Sequence, residues 1–185
     1  MHPVLKLDAA GTPRQWISVE QAAHYVAKGQ MIWHLGDNLQ TLHGGTNRAG
    51  CRSALEVPSI IAVEGLVMGI QRTGRLPVHK SYLLKRDRHI CAYCGDLHAK
   101  ENLQMEHIHP QARGGKTTWT NIVSACSGCN SRKGCRTPEE AHMPLLYVPY
   151  VPNLYEGLIL QGRKILADQM DYLMAGVPAH SRLLG

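Results

Sequence analysis

Two Cys-x-x-Cys pairs, Cys91/Cys94 and Cys126/Cys129, stand about thirty residues apart in this chain. If all four thiolates hold one ion, both ends of the intervening segment must meet within a few ångströms, whatever the rest of the chain does. Four sulfurs in two close pairs make a closed tetrahedral zinc site, with Zn–S bonds of about 2.3 Å and no position left open for chemistry. Reactive groups must therefore be sought between the pairs. The loop there is longer than a plain zinc ribbon needs, which leaves room for an inserted functional element.

Bulk properties narrow the partner class. The formal net charge is +6, which favours polyanions, nucleic acid first. Basic residues also crowd around the paired cysteines: Lys80, Lys85, Arg86 and Arg88 before the first pair, Arg113 and Lys116 between, and Arg132, Lys133 and Arg136 after the second. Six cysteines would suit a disulfide framework in a secreted protein. However, the first twenty residues lack an apolar signal core, so the expected location is the reducing cytoplasm and metal binding is the better reading. Cys51 and Cys135 then read as free thiols, with Cys135 as an alternative ligand. The longest apolar stretch, Val57 to Ile70, is broken by Pro58, Ser59, Glu64 and two glycines, so no membrane span is expected.

The chain divides by pattern into an N-terminal α/β region (1–78), a central core holding the cysteines (79–140), and an extended proline-rich segment with a C-terminal helix (141–185). Val4–Leu7, Met31–Trp33 and Ser59–Val63 read as strands. Ser18 and Gln21 form a capping box for a helix that closes near Gly29. Leu42 to Arg48 reads as a glycine-rich turn, with backbone contact to DNA phosphate as the alternative. Ser81–Arg88 reads as a short basic helix, Leu103–His107 as a strand, and Asn130–Gly134 as part of a helix. Met143–Pro152 is expected to run extended. One final helix is expected from Asn153, capped through Glu156. Its stripe of Leu154, Leu158, Ile165, Leu166, Met170 and Leu173 serves either core packing or a homodimer face.

Hydrolysis of a phosphodiester needs a base to activate water, a divalent cation to take up charge, and a group to orient the base. His107 has the right chemistry for the base, since an imidazole titrates at about pH 6.5. Glu106 is its neighbour, although successive strand residues face opposite sides. Asn130 offers an amide oxygen as a second metal ligand, and a hard cation such as Mg²⁺ is content with two protein oxygens and several waters. Asn121 is placed to hold the imidazole through a hydrogen bond.

Taken together, Arg86-Asp87, Cys91-Ala-Tyr-Cys94-Gly95, Glu106-His107-Ile-His-Pro110, Gly114-Gly115, Trp119-Thr-Asn121 and Cys126-x-x-Cys129-Asn130-x-x-Lys133-Gly134 resemble an HNH endonuclease over roughly residues 80 to 137. The His107–Asn121 and Asn121–Asn130 intervals are similar to those of the HNH nuclease in CRISPR effectors. The resemblance implies an α+β fold. Its centre would be a ββα-metal, treble-clef-like nuclease core with structural zinc, flanked by a small N-terminal α/β region and a C-terminal helix. It also implies His107 as general base, Glu106 and Asn130 as ligands of Mg²⁺ (or Mn²⁺ or Ni²⁺), and Asn121 in support. Cys91, Cys94, Cys126 and Cys129 would hold Zn²⁺, and Arg113, Arg132 and Lys133 would contact DNA phosphates. Two positions depart from the common pattern: Glu106 stands where Asp is frequent, and Asn130 where many members have His. His109 occupies a variable position and reads as a strand or turn residue, with contact to metal or phosphate as the alternative.

The N-terminal region resembles, more loosely, the companion region of some bacterial and phage HNH proteins. The expected activity is metal-dependent cleavage of DNA by nicking or double-strand breakage. The main alternative is a zinc-stabilised nucleic-acid-binding module without nuclease activity. A protein-interaction domain presenting the C-terminal helix is a second.

Overall fold

A computed structural model describes residues 2–64 and 76–184. The end of the Val57–Ile70 stretch therefore lies outside the described residues, among which no helix is long and apolar enough to cross a membrane. The chain forms two compact units, Met1–Arg75 with Leu154–Val177, and Leu76–Asn153 with Pro178–Gly185. The expected division at 78 and 140 is thus redrawn. The C-terminal helices return to the first unit, and the extended segment joins the second.

The first unit is built on a four-stranded mixed sheet of order β2-β1-β4-β3, from β1 (Val4–Leu7), β2 (Pro13–Ile17), β3 (Met31–Thr46) and β4 (Arg52–Val63). β1 lies parallel to β4, with Leu5 opposite Ile60, and antiparallel to β2. Strands buried on both faces carry apolar residues at consecutive positions, as in Val4-Leu5 and Ile60-Ile61-Ala62-Val63. The alternation assigns each residue its side. Val4, Val57, Ile61 and Val63 pack with Ile17, Val19 and Ala22, the last two supplied by α1 (Val19–Ala27). Leu5, Leu7, Ile60 and Ala62 pack with Leu158 and Leu173. Each such buried aliphatic side chain contributes about 2 kcal/mol. The capping box is formed: Ser18 Oγ accepts from Gln21 N, and Gln21 Oε1 accepts from Ser18 N.

Two expectations for this unit change, and one narrows. The single C-terminal helix is two, α4 (Leu154–Gln161) and α5 (Ala167–Met174). The break falls at Gly162, where an added Cβ would overlap the Ile165 side chain. Leu158 and Leu173 from the apolar stripe are core residues on the sheet, with Leu154 packed against them, so this part of the stripe serves core packing. The glycine-rich turn at 42–48 is mostly strand. β3 runs sixteen residues to Thr46, and the turn proper is held by Asn47 Oδ1, which accepts from Ala49 N and Cys51 N.

In the second unit, α2 (Lys80–Arg86) leads into the first cysteine pair. β5 (Leu103–His107) and β6 (Ile122–Cys126) form an antiparallel hairpin with His107 opposite Ile122, and α3 (Ser127–Lys133) follows β6 without a linker. Cys126 Sγ accepts from Cys129 N, so a cysteine caps α3. Leu84, Cys91, Leu103, Ala125, Cys129 and Met143 form the core. The 143–152 segment is irregular, as expected, and is tied down by Leu146 N to Ala92 O at 2.9 Å.

Arg86, one of the cations that crowd around the paired cysteines in sequence, is not a surface group. It is fully buried and donates to Asp87 Oδ1, Trp119 O, Tyr150 O and Ile122 O at 2.7–3.0 Å. Asp87 in turn accepts from Ser124 N at 2.8 Å. A buried ion pair is tolerable only when its remaining polar atoms are satisfied, and these bonds fix the strand carrying Ile122 and Ser124.

Candidate functional site

The sulfurs of Cys91, Cys94, Cys126 and Cys129 all lie within 4.8 Å of one another. Zn–S bonds of about 2.3 Å in a tetrahedron require sulfur separations near 3.8 Å, so the donor set fits a closed zinc site after minor adjustment. The thiols respond unevenly to their surroundings. Burial opposes ionisation of Cys91, but the N–H groups of Cys94, Cys126 and Tyr93 outweigh it and bring the thiol down to about 7. Burial instead pushes Cys94 up to about 11, and it raises Cys129 further. Crowded sulfurs cannot all be anionic without a cation among them, which is what a structural ion supplies. Cys135 and Cys51 are exposed and outside the group, so the alternative of Cys135 as a ligand falls away.

Beside this cluster, β5 and α3 form a seam. Alternation along β5 puts Gln104 and Glu106 on one side, and both meet α3. Asn130 Nδ2 donates to Gln104 Oε1. Lys133 Nζ donates to Glu106 Oε1 at 2.7 Å and to His107 O at 2.8 Å. Asn130 and Lys133 are three residues apart and so share a helix face. The expected ligands Glu106 and Asn130 are therefore on one seam, each carboxylate or amide oriented by a neighbour. Lys133 corrects its sequence reading. Its side chain is wholly buried and engaged with Glu106, so it cannot double as a surface contact for phosphate.

His107, the next residue on β5, makes its side-chain contact elsewhere. Its Nε2 lies 2.9 Å from Thr117 Oγ1, which also accepts from Gln111 Nε2 at 3.3 Å. Asn121 does not meet the imidazole among the hydrogen bonds of the described residues. Its Oδ1 accepts from His109 N at 2.9 Å, and its Nδ2 donates to His109 O at 3.1 Å and Lys116 O at 2.9 Å. It staples the loop that follows β5. That loop also needs its two glycines: Gly114 has φ +88°, and a Cβ on Gly115 would overlap the His109 carbonyl. His109 is thus bound through its backbone, and its side chain is exposed.

Of the expected phosphate contacts, Arg132 is exposed at the end of α3. Arg113 is half-exposed and paired with Glu140 Oε2 at 2.5 Å. Sequence reasoning missed Gln104, Gln111 and Thr117. Gln104 was findable, because it sits two residues before Glu106 on the same strand face. Nothing local marked Thr117, whose partner is ten residues away.

Residues 91–146 match the model of the HNH endonuclease family. The chain is also similar to the CRISPR-associated endonuclease Cas9 of Corynebacterium diphtheriae, at 47% identity over 45 residues. That match covers 24% of this chain and 4% of the Cas9 protein, so the chain corresponds to a small part of that relative. The matched family segment opens at Cys91 and contains both cysteine pairs, the β5–β6 hairpin and α3, so the likeness to HNH endonucleases falls on the segment that carries the candidate site.

Proposed function

We propose that the chain is a metal-dependent DNA endonuclease that hydrolyses phosphodiester bonds with His107 as general base. One observation carries this reading. Glu106 and Asn130 lie on the same β5–α3 seam, tied to Lys133 and Gln104 respectively, while the adjacent His107 is held separately by Thr117 of the loop. A base and a pair of oxygen donors thus stand at neighbouring positions without blocking one another.

Glu106 and Asn130 hold a divalent cation, Mg²⁺ or a similar ion such as Mn²⁺ or Ni²⁺. Both ligand atoms are oxygens, which suits a hard ion. Lys133 occupies Glu106 Oε1 and so leaves the second carboxylate oxygen for the cation. When bound, the cation neutralises charge on the phosphate and on the leaving 3′ oxygen. His107 takes a proton from the attacking water. Asn121 keeps the loop around that imidazole in shape. The four cysteines hold Zn²⁺ as a structural ion beside the seam. Arg132, and Arg113 once released from Glu140, contact backbone phosphates, which supplies salt-sensitive affinity without sequence choice.

The test is cleavage of supercoiled plasmid with Mg²⁺, Mn²⁺ or Ni²⁺, for the parent and for His107→Ala. Nicked or linear product from the parent alone supports both the activity and the base. DNA that is bound but never cut, with any of the three ions, would favour a binding module with an idle centre.

A further inference from the structure

We infer that Thr117, backed by Gln111, is the positioning residue of His107: its hydroxyl oxygen accepts the imidazole Nε2–H and leaves Nδ1 as the nitrogen that takes the proton from water. This inference rests on the nuclease reading above for its catalytic part and for the choice of tautomer, and on the hydrogen-bond geometry for the partner.

The geometry gives the contact, and the requirement of a free base nitrogen gives its direction. The Gln111 amide nitrogen can only donate, so Thr117 Oγ1 accepts from it at 3.3 Å. A threonine hydroxyl has a second lone pair, and His107 Nε2 sits against it at 2.9 Å. When Nε2–H fills that lone pair, the neutral imidazole carries its lone pair on Nδ1. In the opposite tautomer the Thr117 hydroxyl would donate to Nε2 and the proton would sit on Nδ1, leaving neither nitrogen free to act as the base. After the reaction, Nδ1 holds the proton from water, Nε2 keeps its own, and Thr117 still accepts from the imidazolium. The hydroxide so formed bonds to phosphorus while the 3′ oxygen leaves with its electron pair.

Thr117 is itself held in place. Asn121 Nδ2 binds the carbonyl of Lys116, the residue immediately before it, at 2.9 Å. Gly115, one residue earlier, packs directly on the His109 carbonyl. Asn121 therefore acts on the imidazole at one remove, through the Lys116–Thr117 backbone. This accounts for an asparagine at a position from which it does not touch the histidine.

The experiment compares the zinc-loaded parent with Thr117→Val, which removes the hydroxyl at nearly constant shape, and with Thr117→Ser, which keeps it. Long-range ¹H–¹⁵N spectra of His107 report the tautomer without any need for turnover. The parent and Thr117→Ser are expected to show Nε2–H. Thr117→Val should show a mixture, at an unchanged melting temperature because Thr117 is exposed. On DNA, Thr117→Val should lose about tenfold or more in kcat with KM nearly constant, and serine should restore most of it. An unchanged tautomer in Thr117→Val, or an unchanged kcat, would overturn the assignment. If the parent itself cuts no DNA, the nuclease reading fails, and the spectra still decide whether Thr117 sets the tautomer.

Discussion

Lys133 Nζ lies 2.7 Å from Glu106 Oε1, with the lysine side chain fully buried and the glutamate side chain 12% exposed. The pair joins the last turn of α3 to the strand bearing the expected base His107 and the expected metal ligand Glu106, and a second bond to the His107 carbonyl fixes that strand's backbone as well. One residue that the sequence offers as a surface cation is thus the tie between the helix and the strand.

Replacing Lys133 with Met should therefore be costly. Removing one partner of a buried pair leaves the other charge without compensation, at about 3–5 kcal/mol. Urea unfolding of the zinc-loaded protein should register that loss, and Mg²⁺ should recover part of it by taking over the carboxylate. DNA binding measured on the folded fraction should keep the parent's salt dependence. Arg132→Ala, in contrast, should leave stability unchanged and reduce the slope of log K against log salt by about 0.9. A Lys133 variant as stable as the parent would refute the tie.

The cysteine cluster predicts a different failure. Structural zinc contributes its binding energy to folding, on the order of 10 kcal/mol in small domains. Cys91→Ser or Cys129→Ser, or exhaustive chelation, should unfold the second unit, as read by loss of protected amides from β5, β6 and α3. Cys51→Ser and Cys135→Ser should leave both zinc content and protection as they were. Retention of zinc by the Cys129 variant would break the assignment.

What was legible in the sequence was local. The Ser18–Gln21 box, the β5 boundaries and the Cys-x-x-Cys knuckles all depend on residues within a few positions of one another, so their chemistry can be read in place. Lys133 was misplaced, and the burial of Arg86 went unread, for the opposite reason. Burying a cation is affordable only when distant partners converge on it, and here those partners are 26 to 64 residues away. The long C-terminal helix failed at Gly162 because the apolar stripe continued in sequence while the chain bent to return to the sheet. Asn121 was assigned to the site by spacing, but the atoms it binds follow from loop geometry that spacing does not encode.

Asn121 therefore permits a sharp test. Asn121→Asp keeps the acceptor for His109 N but replaces the Nδ2 donor, so the His109 and Lys116 carbonyls would face a carboxylate. Such an unmet set of groups costs about 1–3 kcal/mol locally, and the loop should loosen. The expected result is faster amide exchange across residues 108–117 and a kcat reduced by about tenfold or more, with zinc content and DNA affinity close to the parent's. If exchange in the loop is unaltered while activity falls, Asn121 acts on the chemistry directly and the staple is not its role.

Arg113 offers the last prediction, because its guanidinium is already occupied. Glu140 Oε2 accepts from Arg113 and from Thr137 N, while Glu140 N donates to Thr137 Oγ1. The hydrogen bond from Arg113, its largest influence, helps hold the Glu140 carboxyl below its usual range, so at neutral pH it is a charged competitor for any phosphate approaching the arginine. Glu140→Gln preserves an oxygen for the Thr137 turn but removes that charge. It should tighten DNA binding at low salt and steepen the salt slope by about 0.9, the value for one added phosphate contact. The double variant Arg113→Ala/Glu140→Gln should return the slope to the parent's value. Identical slopes for Glu140→Gln and the parent would mean that Arg113 does not reach DNA even when it is freed.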